Sequence, residues 1–156
     1  MKVFISYGDA ADQVIALRLQ ALAAVNGLTV YVPPAWTRTF PVYAVPEEIE
    51  PKLRESEVVL AVVANGFAPG CSAEILAGKN LGKQLIVMAY PHFADTLAAY
   101  GNDVIVINPL QAGEAERAIV SHLKAMESQK TANGALLALA TLALGMLLFA
   151  SIKKQN

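Results

Sequence analysis

The stretch "VVLAVVANGFAPGCSAEILAGKNLGKQLIVMAY", residues 58–90, indicates the fold most directly. Two apolar runs rich in β-branched residues, 58–64 and 84–90, enclose a short helical pattern. Both runs are apolar nearly throughout rather than alternating, which is typical of strands covered on both faces. The pattern between them, "CSAEILAGKNLG", has Ser72 as its expected N-cap and carries Glu74 in its first turn. The stretch therefore predicts a parallel β-α-β unit.

Strand and helix patterns also alternate on both sides of this stretch. Further strands are predicted at 3–7, 28–32 and 103–109. The segment between the first two strands has Asp9 or Asp12 as its candidate N-cap, and an amphipathic helix is predicted in "AGEAERAIVSHLKAMESQK". Five strands alternating with helices predict an α/β fold: a flavodoxin-like five-stranded parallel sheet of order 2-1-3-4-5, with helices on both faces.

The C-terminal run "GALLALATLALGMLLFASI", residues 134–152, has no charged residue. Its length suffices to cross a hydrocarbon core of about 30 Å at about 1.5 Å per helical residue. We therefore expect one domain at 1–130 and a transmembrane helix with a short tail at 131–156; a buried core helix is the alternative. One face of this helix would carry only small residues, which would let two spans associate closely. These residues are Gly134, Ala138, Thr141 and Gly145.

Composition and charge restrict the location and the partners. The N-terminus has no signal-peptide pattern, so we expect a single-pass C-terminal anchor in the cell membrane with the domain in the cytosol. One cysteine, Cys71, excludes an internal disulfide. Residues 1–130 hold 13 acids and 10 bases, so this part of the chain lacks the excess of basic residues that is typical of nucleic-acid-binding domains. His92 and His122 lack metal-ligand spacing, and a surface position is expected for His122.

The predicted topology places a ligand crevice at the carboxyl ends of strands 1 and 3. Strand 1 delivers Ser6, Tyr7, Gly8 and Asp9 to this crevice, and the segment after strand 3 delivers residues 65–71 and then Glu74. The long loop after strand 2 adds aromatic and basic side chains, Trp36, Arg38, Phe40 and Tyr43. A carboxylate in a first helical turn is also favoured by the helix dipole alone, so a purely structural role for Glu74 stays open.

Two segments carry a resemblance to a known family. The opening "VFISYGDAADQVIALRLQALAAVNGLTVYV" resembles the start of a Toll/interleukin-1 receptor (TIR) domain of the bacterial type, with matches at Phe4, Ile5, Ser6, Tyr7, Asp12, Leu17, Gly27 and Val30. The later segment is similar to the family's third-strand region, in which Ser56, Cys71 and Glu74 fill the expected positions. The family often has Trp where this chain has Gly70, and Ser or a basic residue where it has Gly8.

The resemblance implies a chemistry. Catalytic TIR domains cleave NAD into nicotinamide and either ADP-ribose or a cyclic isomer, and the family's catalytic glutamate maps onto Glu74. A fixed carboxylate stabilises an oxocarbenium-like ribose, and NAD is then the substrate, with no cofactor or metal. Candidate substrate contacts are Ser6, Tyr7, Gly8, Asp9, Trp36, Arg38, Phe40 and Cys71. Among them, Trp36 or Phe40 would stack on a ring, and Arg38 would meet a phosphate.

The sequence leaves several alternatives open. Trp36 is equally expected as a loop anchor packed on the domain, and Tyr7 as a packing residue at the end of its strand. The leading interpretation is a membrane-anchored NAD glycohydrolase in signalling or defence that self-associates through its TIR domain and its span. The first alternative is a non-enzymatic TIR scaffold that assembles through contacts between TIR domains. The second is a nucleoside deoxyribosyltransferase-like enzyme or a receptor for a nucleotide messenger.

Overall fold

Five parallel strands form the centre of the protein. The computed structural model describes residues 1–39, 43–98, 100, 103–106 and 111–132. The strands are β1 (Lys2–Tyr7), β2 (Thr29–Tyr31), β3 (Val58–Val63), β4 (Gln84–Ala89) and β5 (Asp103–Val106), in the order β2-β1-β3-β4-β5. All four pairings are parallel, with Val3 beside both Val30 and Val58. The predicted sheet, its strand order and its parallel direction are confirmed.

Six helices accompany the strands in the described part of the chain. They are α1 (Gln13–Val25), α2 (Trp36–Thr39), α3 (Glu50–Glu55), α4 (Pro69–Asn80), α5 (Pro91–Leu97) and α6 (Ala112–Ala132). The four-residue α2 forms inside the segment that the sequence predicted as an irregular loop. Two helix ends use glycines with positive φ, Gly27 after α1 and Gly82 after α4, a conformation that glycine adopts without strain.

Apolar side chains fill both faces of the sheet. On one face, Ile5, Leu60 and Met88 pack with residues of α1 and α6, such as Leu19 and Ile119. A second cluster lies on the opposite face, beneath α3, α4 and α5. Every residue of β3 is buried, as the uniformly apolar run predicted. The sheet is therefore covered on both sides, and its polar residues are left at the strand ends.

Three local predictions are wrong. The N-cap of α4 is Ala68, not Ser72, because the helix begins at Pro69, and proline is favoured at the first helical position. Glu74 is therefore the sixth residue of α4 and not a residue of its first turn, which holds no acidic side chain, so the helix dipole does not account for this carboxylate. His122 is buried rather than on the surface, and its neighbours Ile119 and Leu123 in α6 belong to the apolar core that α6 forms with the sheet and α1.

The predicted membrane span cannot be compared with the structure. No helix within the described ranges is long and apolar enough to cross a bilayer. The span at 134–152, its small-residue face of Gly134, Ala138, Thr141 and Gly145, and the loop residue Phe40 all lie outside the described residues.

Candidate active site

The carboxyl ends of β1 and β3 meet closely, as the topology requires. The Gly8 amide donates a hydrogen bond to the Val62 carbonyl at 2.7 Å, and the Ala68 amide donates to the Gly8 carbonyl at 2.6 Å. A Cβ atom at position 8 would lie 1.9 Å from the Gly66 carbonyl oxygen. Glycine is needed at position 8 because only a residue without a side chain permits this approach.

Asp12 fixes the loop after β3 to the start of α1. Its side chain accepts hydrogen bonds from the Ala64 amide, the Asn65 amide and the Asn65 side-chain amide, at 3.0, 2.9 and 2.6 Å. Burial raises the pKa of this carboxyl, although the three donated hydrogen bonds oppose that shift. Asp12 precedes α1 but makes no side-chain cap of that helix. Its role is therefore to join two loops, which the expected N-cap position did not reveal.

Glu74 lies at this junction, on the side of α4 that faces β1. Its Oε2 atom is 2.6 Å from Ser6 Oγ, which in turn lies 3.2 Å from Cys71 Sγ. The Ser6 hydroxyl has one proton, and an ionised carboxylate only accepts, so this proton points to Glu74. Burial raises the pKa of the Cys71 thiol to about 12. Cys71 is therefore a protonated thiol that packs beside Ser6, and its reactivity is low.

Arg38 of α2 forms a two-pronged ion pair with Glu74. Its Nη1 lies 3.2 Å from Oε1 and its Nη2 lies 2.5 Å from Oε2, the planar arrangement in which arginine recognises a carboxylate. The two side chains are 0% and 1% exposed. The pKa of Glu74 is raised because burial outweighs the stabilisation of its charge by Arg38 and Ser6. The carboxylate is thus enclosed and its charge is compensated within the protein.

Two further groups of Arg38, Nε and Nη1, bind β1 and α2. Nε donates to the Tyr7 carbonyl at 2.5 Å, and Nη1 donates to Thr37 Oγ1 at 2.7 Å. The guanidinium carbon lies 4.3 Å from the centre of the Tyr7 ring, within the range of a cation–π contact. Because the Arg38 side chain is 0% exposed, a phosphate, the contact expected from the sequence, does not reach it in this conformation.

Gly70 allows α2 to pack on α4. A Cβ atom at this position would lie 2.5 Å from the Thr37 carbonyl oxygen and 3.1 Å from Arg38 Nη1. The space that a larger side chain would need is thus filled by α2 itself. The TIR pattern often has Trp at the position of Gly70, and in this chain α2, which covers Glu74, occupies the space that such a side chain would need. The residues around Gly70 gave no indication of this contact.

The other predicted site residues lie around this cluster. Tyr7 is fully buried and its hydroxyl donates to the Pro33 carbonyl at 2.9 Å, which agrees with the packing role. Asp9 accepts hydrogen bonds from the amides of Ala11 and Asp12 at the start of α1. Trp36 is 37% exposed. The structure thus brings Ser6, Tyr7, Arg38, Cys71 and Glu74 into one cluster, with Gly8, Asp9 and Trp36 at its edge.

The described residues hold no group of three or more histidine, cysteine or acidic side chains that could bind a metal. A shallow groove of about 450 Å³ lies on the outer side of α3 and α4, and the residues that line it do not include Glu74. In chemical terms the cluster is a carboxylate with one hydroxyl donor and one guanidinium, closed to solvent.

Fold and cluster define the class of protein: an α/β protein of flavodoxin-like topology with a buried carboxylate at its switch point. No protein-family model matches the chain, and no curated protein matches it.

Proposed function

We propose that the chain is a TIR-like NAD glycohydrolase that cleaves NAD to nicotinamide and ADP-ribose or a cyclic isomer. The observation that carries this proposal is the position of Glu74, whose carboxylate lies 2.6 Å from Ser6 Oγ, near the carboxyl end of β1 and beside the neighbouring strand β3 in the sheet order. Parallel α/β sheets bind their ligands at this place. A carboxylate there is suited to stabilising the positive charge that the ribose acquires when nicotinamide leaves.

The proposed reaction needs a different position of α2. Glu74 is 1% exposed and both of its oxygens face Arg38, so no ribose atom can reach it in the described conformation. Departure of α2 would uncover Glu74 and free the Arg38 guanidinium together. The described conformation is then the closed form of the enzyme, and the open form would allow Arg38 to meet a phosphate of NAD.

The same ion pair favours a second candidate function, a TIR-type scaffold without catalytic activity. A carboxylate that is compensated by a buried arginine has a sufficient structural reason to be present. In this case the outer surfaces of the domain bind other TIR domains, and Glu74 only joins α4 to α2.

Nicotinamide release from NAD separates the two candidates. The full chain in vesicles is assayed at high and low protein density, as wild type, as Glu74→Gln and as Glu48→Gln. Glu48 is an exposed carboxylate and serves as the matched control. The enzyme proposal requires release by wild type and Glu48→Gln and none by Glu74→Gln. Folded wild-type protein that releases no nicotinamide at either density, yet still self-associates, would contradict the enzyme and support the scaffold.

We further propose that residues 134–152 anchor the domain to the cell membrane, with the domain in the cytosol and with self-association through the small-residue face of the span. The charge-free length of this run supports the proposal. Two arginines near its centre, Leu142→Arg with Leu147→Arg, should release the chain from floated vesicles, because each costs roughly 3 kcal/mol at a helix centre. If this variant floats as well as wild type, the anchor proposal is wrong.

A further inference from the structure

The described chain ends at one edge of the sheet, here called the amino edge, which is formed by the first residues of the strands and the turns beside them. The amides of Thr29, Glu57 and Gln84 donate to the carbonyls of Met1, Lys2 and Glu57, so the strands start side by side. The last turns of α6 lie at this edge, because Glu127 binds the Met1 amino group and Lys130 binds Glu57. The described part of α6 therefore ends at the amino edge, at Ala132, two residues before the apolar run 134–152 begins in the sequence.

Four glutamates near the amino edge are compensated by cations. Glu55 pairs with Lys2 at 3.0 Å, and Glu50 pairs with Arg54 at 2.5 Å. Glu57 and Glu127 pair with the lysine and the amino group named above. These pairs leave the edge without a free negative charge among the carboxylates named.

A positive excess remains in the turns of this edge. Lys79 and Lys83 form no ion pair with a carboxylate of the described residues. The ammonium group of Lys83 donates to the Arg54 carbonyl at 2.6 Å. This excess contrasts with residues 1–130 as a whole, where 13 acids outnumber 10 bases. Lys79 and Lys83 thus add positive charge at the edge where the described part of α6 ends.

Exposed apolar side chains accompany these lysines. Leu81, in the turn between α4 and β4, is 37% exposed, and Val25, at the end of α1, is 87% exposed. Val25 is the last residue of α1 and Leu81 begins the turn after α4, so each lies shortly before the first residues of a strand. Basic side chains beside isolated apolar ones are the combination that binds the interface of an anionic bilayer.

We propose that the amino edge is a lipid-binding surface that docks on anionic headgroups when the C-terminal run is inserted, with Lys79 and Lys83 as its main charged contacts. This inference rests on the proposed anchor. The candidate site would then face away from the bilayer, since β3 spans six residues, about 20 Å, between the two edges of the sheet.

Depth-dependent fluorescence quenching in vesicles tests the docking. The full chain carries a fluorophore at Leu81→Cys or, as the control at the opposite edge, at Ala11→Cys. Native Cys71 is buried and its pKa is raised to about 12, so it stays unlabelled. The quencher is a lipid with a spin-labelled headgroup, in phosphatidylcholine vesicles with or without phosphatidylserine. We expect strong quenching at position 81 only in the anionic vesicles, and weak quenching at position 11 in both.

Charge variants measure how much the two lysines contribute to docking. Lys79→Gln with Lys83→Gln should lower the ratio of docked to undocked domain by about 25-fold, because each lysine near an anionic surface contributes roughly fivefold. The matched variant Lys79→Arg with Lys83→Arg keeps the charge and should quench like wild type. Equal quenching at positions 81 and 11, or an unchanged ratio in the Gln variant, overturns the inference.

Flotation of the same samples at high salt distinguishes failure of the inference from failure of the anchor. A chain that floats but shows no preferential quenching at position 81 refutes the docking surface alone. A chain that does not float refutes the anchor, and the docking proposal falls with it.

Discussion

Replacement of Arg38 by methionine should destabilise the protein strongly, and more so at high pH. Arg38→Met leaves Glu74, which is 1% exposed, with Ser6 as its only described hydrogen-bond partner. Removing one member of a buried ion pair costs about 3–5 kcal/mol. We expect a loss of this size in the free energy of unfolding at pH 8.

The pH dependence has a definite sign. Burial already raises the pKa of Glu74 above its usual value, and the variant lacks the guanidinium that opposes this shift. A carboxyl whose folded-state pKa is raised stabilises the fold while it is protonated, and that stability is lost as the pH rises through the folded-state pKa. Arg38→Met should therefore lose less stability at pH 5 than at pH 8, with a slope of at most about 1.4 kcal/mol per pH unit.

Denaturant unfolding of the full chain in mild detergent, followed by circular dichroism, measures both effects. The double variant Arg38→Met with Glu74→Leu replaces the pair by apolar side chains and should recover most of the loss. Arg54→Met removes an exposed i, i+4 pair with Glu50 and should cost about 0.5 kcal/mol. A cost for Arg38→Met below that of Arg54→Met, or one independent of pH, would refute the assignment of a buried, charge-coupled pair.

Three further predictions concern the same junction. Gly70→Ala should displace α2, because the new methyl group meets the Thr37 carbonyl oxygen. Acrylamide quenching of the fluorescence of Trp36, the single tryptophan, should then rise, and unchanged quenching would contradict the contact. Asp12→Asn should cost about 2 kcal/mol in unfolding experiments, since the new amide group faces hydrogen-bond donors; a neutral effect would contradict the role of Asp12 in joining the loops. Cys71 should react with maleimide only on unfolding, so rapid labelling of the native protein would show that it is accessible.

The sheet was predictable because its information is local. Runs such as 58–64 are apolar almost without interruption, and the alternation of strands with helices restricts the connections to right-handed crossovers. The resulting order and direction agree with the structure. The proximity of Ser6, in β1, to Glu74, in the helix that follows β3, agrees with that topology, since β1 and β3 are neighbours.

The cover over Glu74 was not predictable in the same way. Arg38 stands in a proline-rich segment with no apolar periodicity, and an arginine in such a segment is expected at the surface. Its burial depends on a partner 36 residues away and on the absence of a side chain at Gly70. Both conditions depend on residues that are far apart in the sequence and meet only in the folded structure. The sequence therefore indicated the carboxylate of Glu74 but not the arginine that covers it.

The short edge strand β2 restricts how copies of this chain can associate. It pairs over three residues, Thr29–Tyr31, and two prolines, Pro33 and Pro34, follow shortly after it without amide hydrogens to donate. An edge of this kind is a poor template for adding another strand. Continuous growth of the sheet from one molecule to the next is therefore disfavoured at β2, and contacts between copies on this side of the sheet must use helices or loops instead.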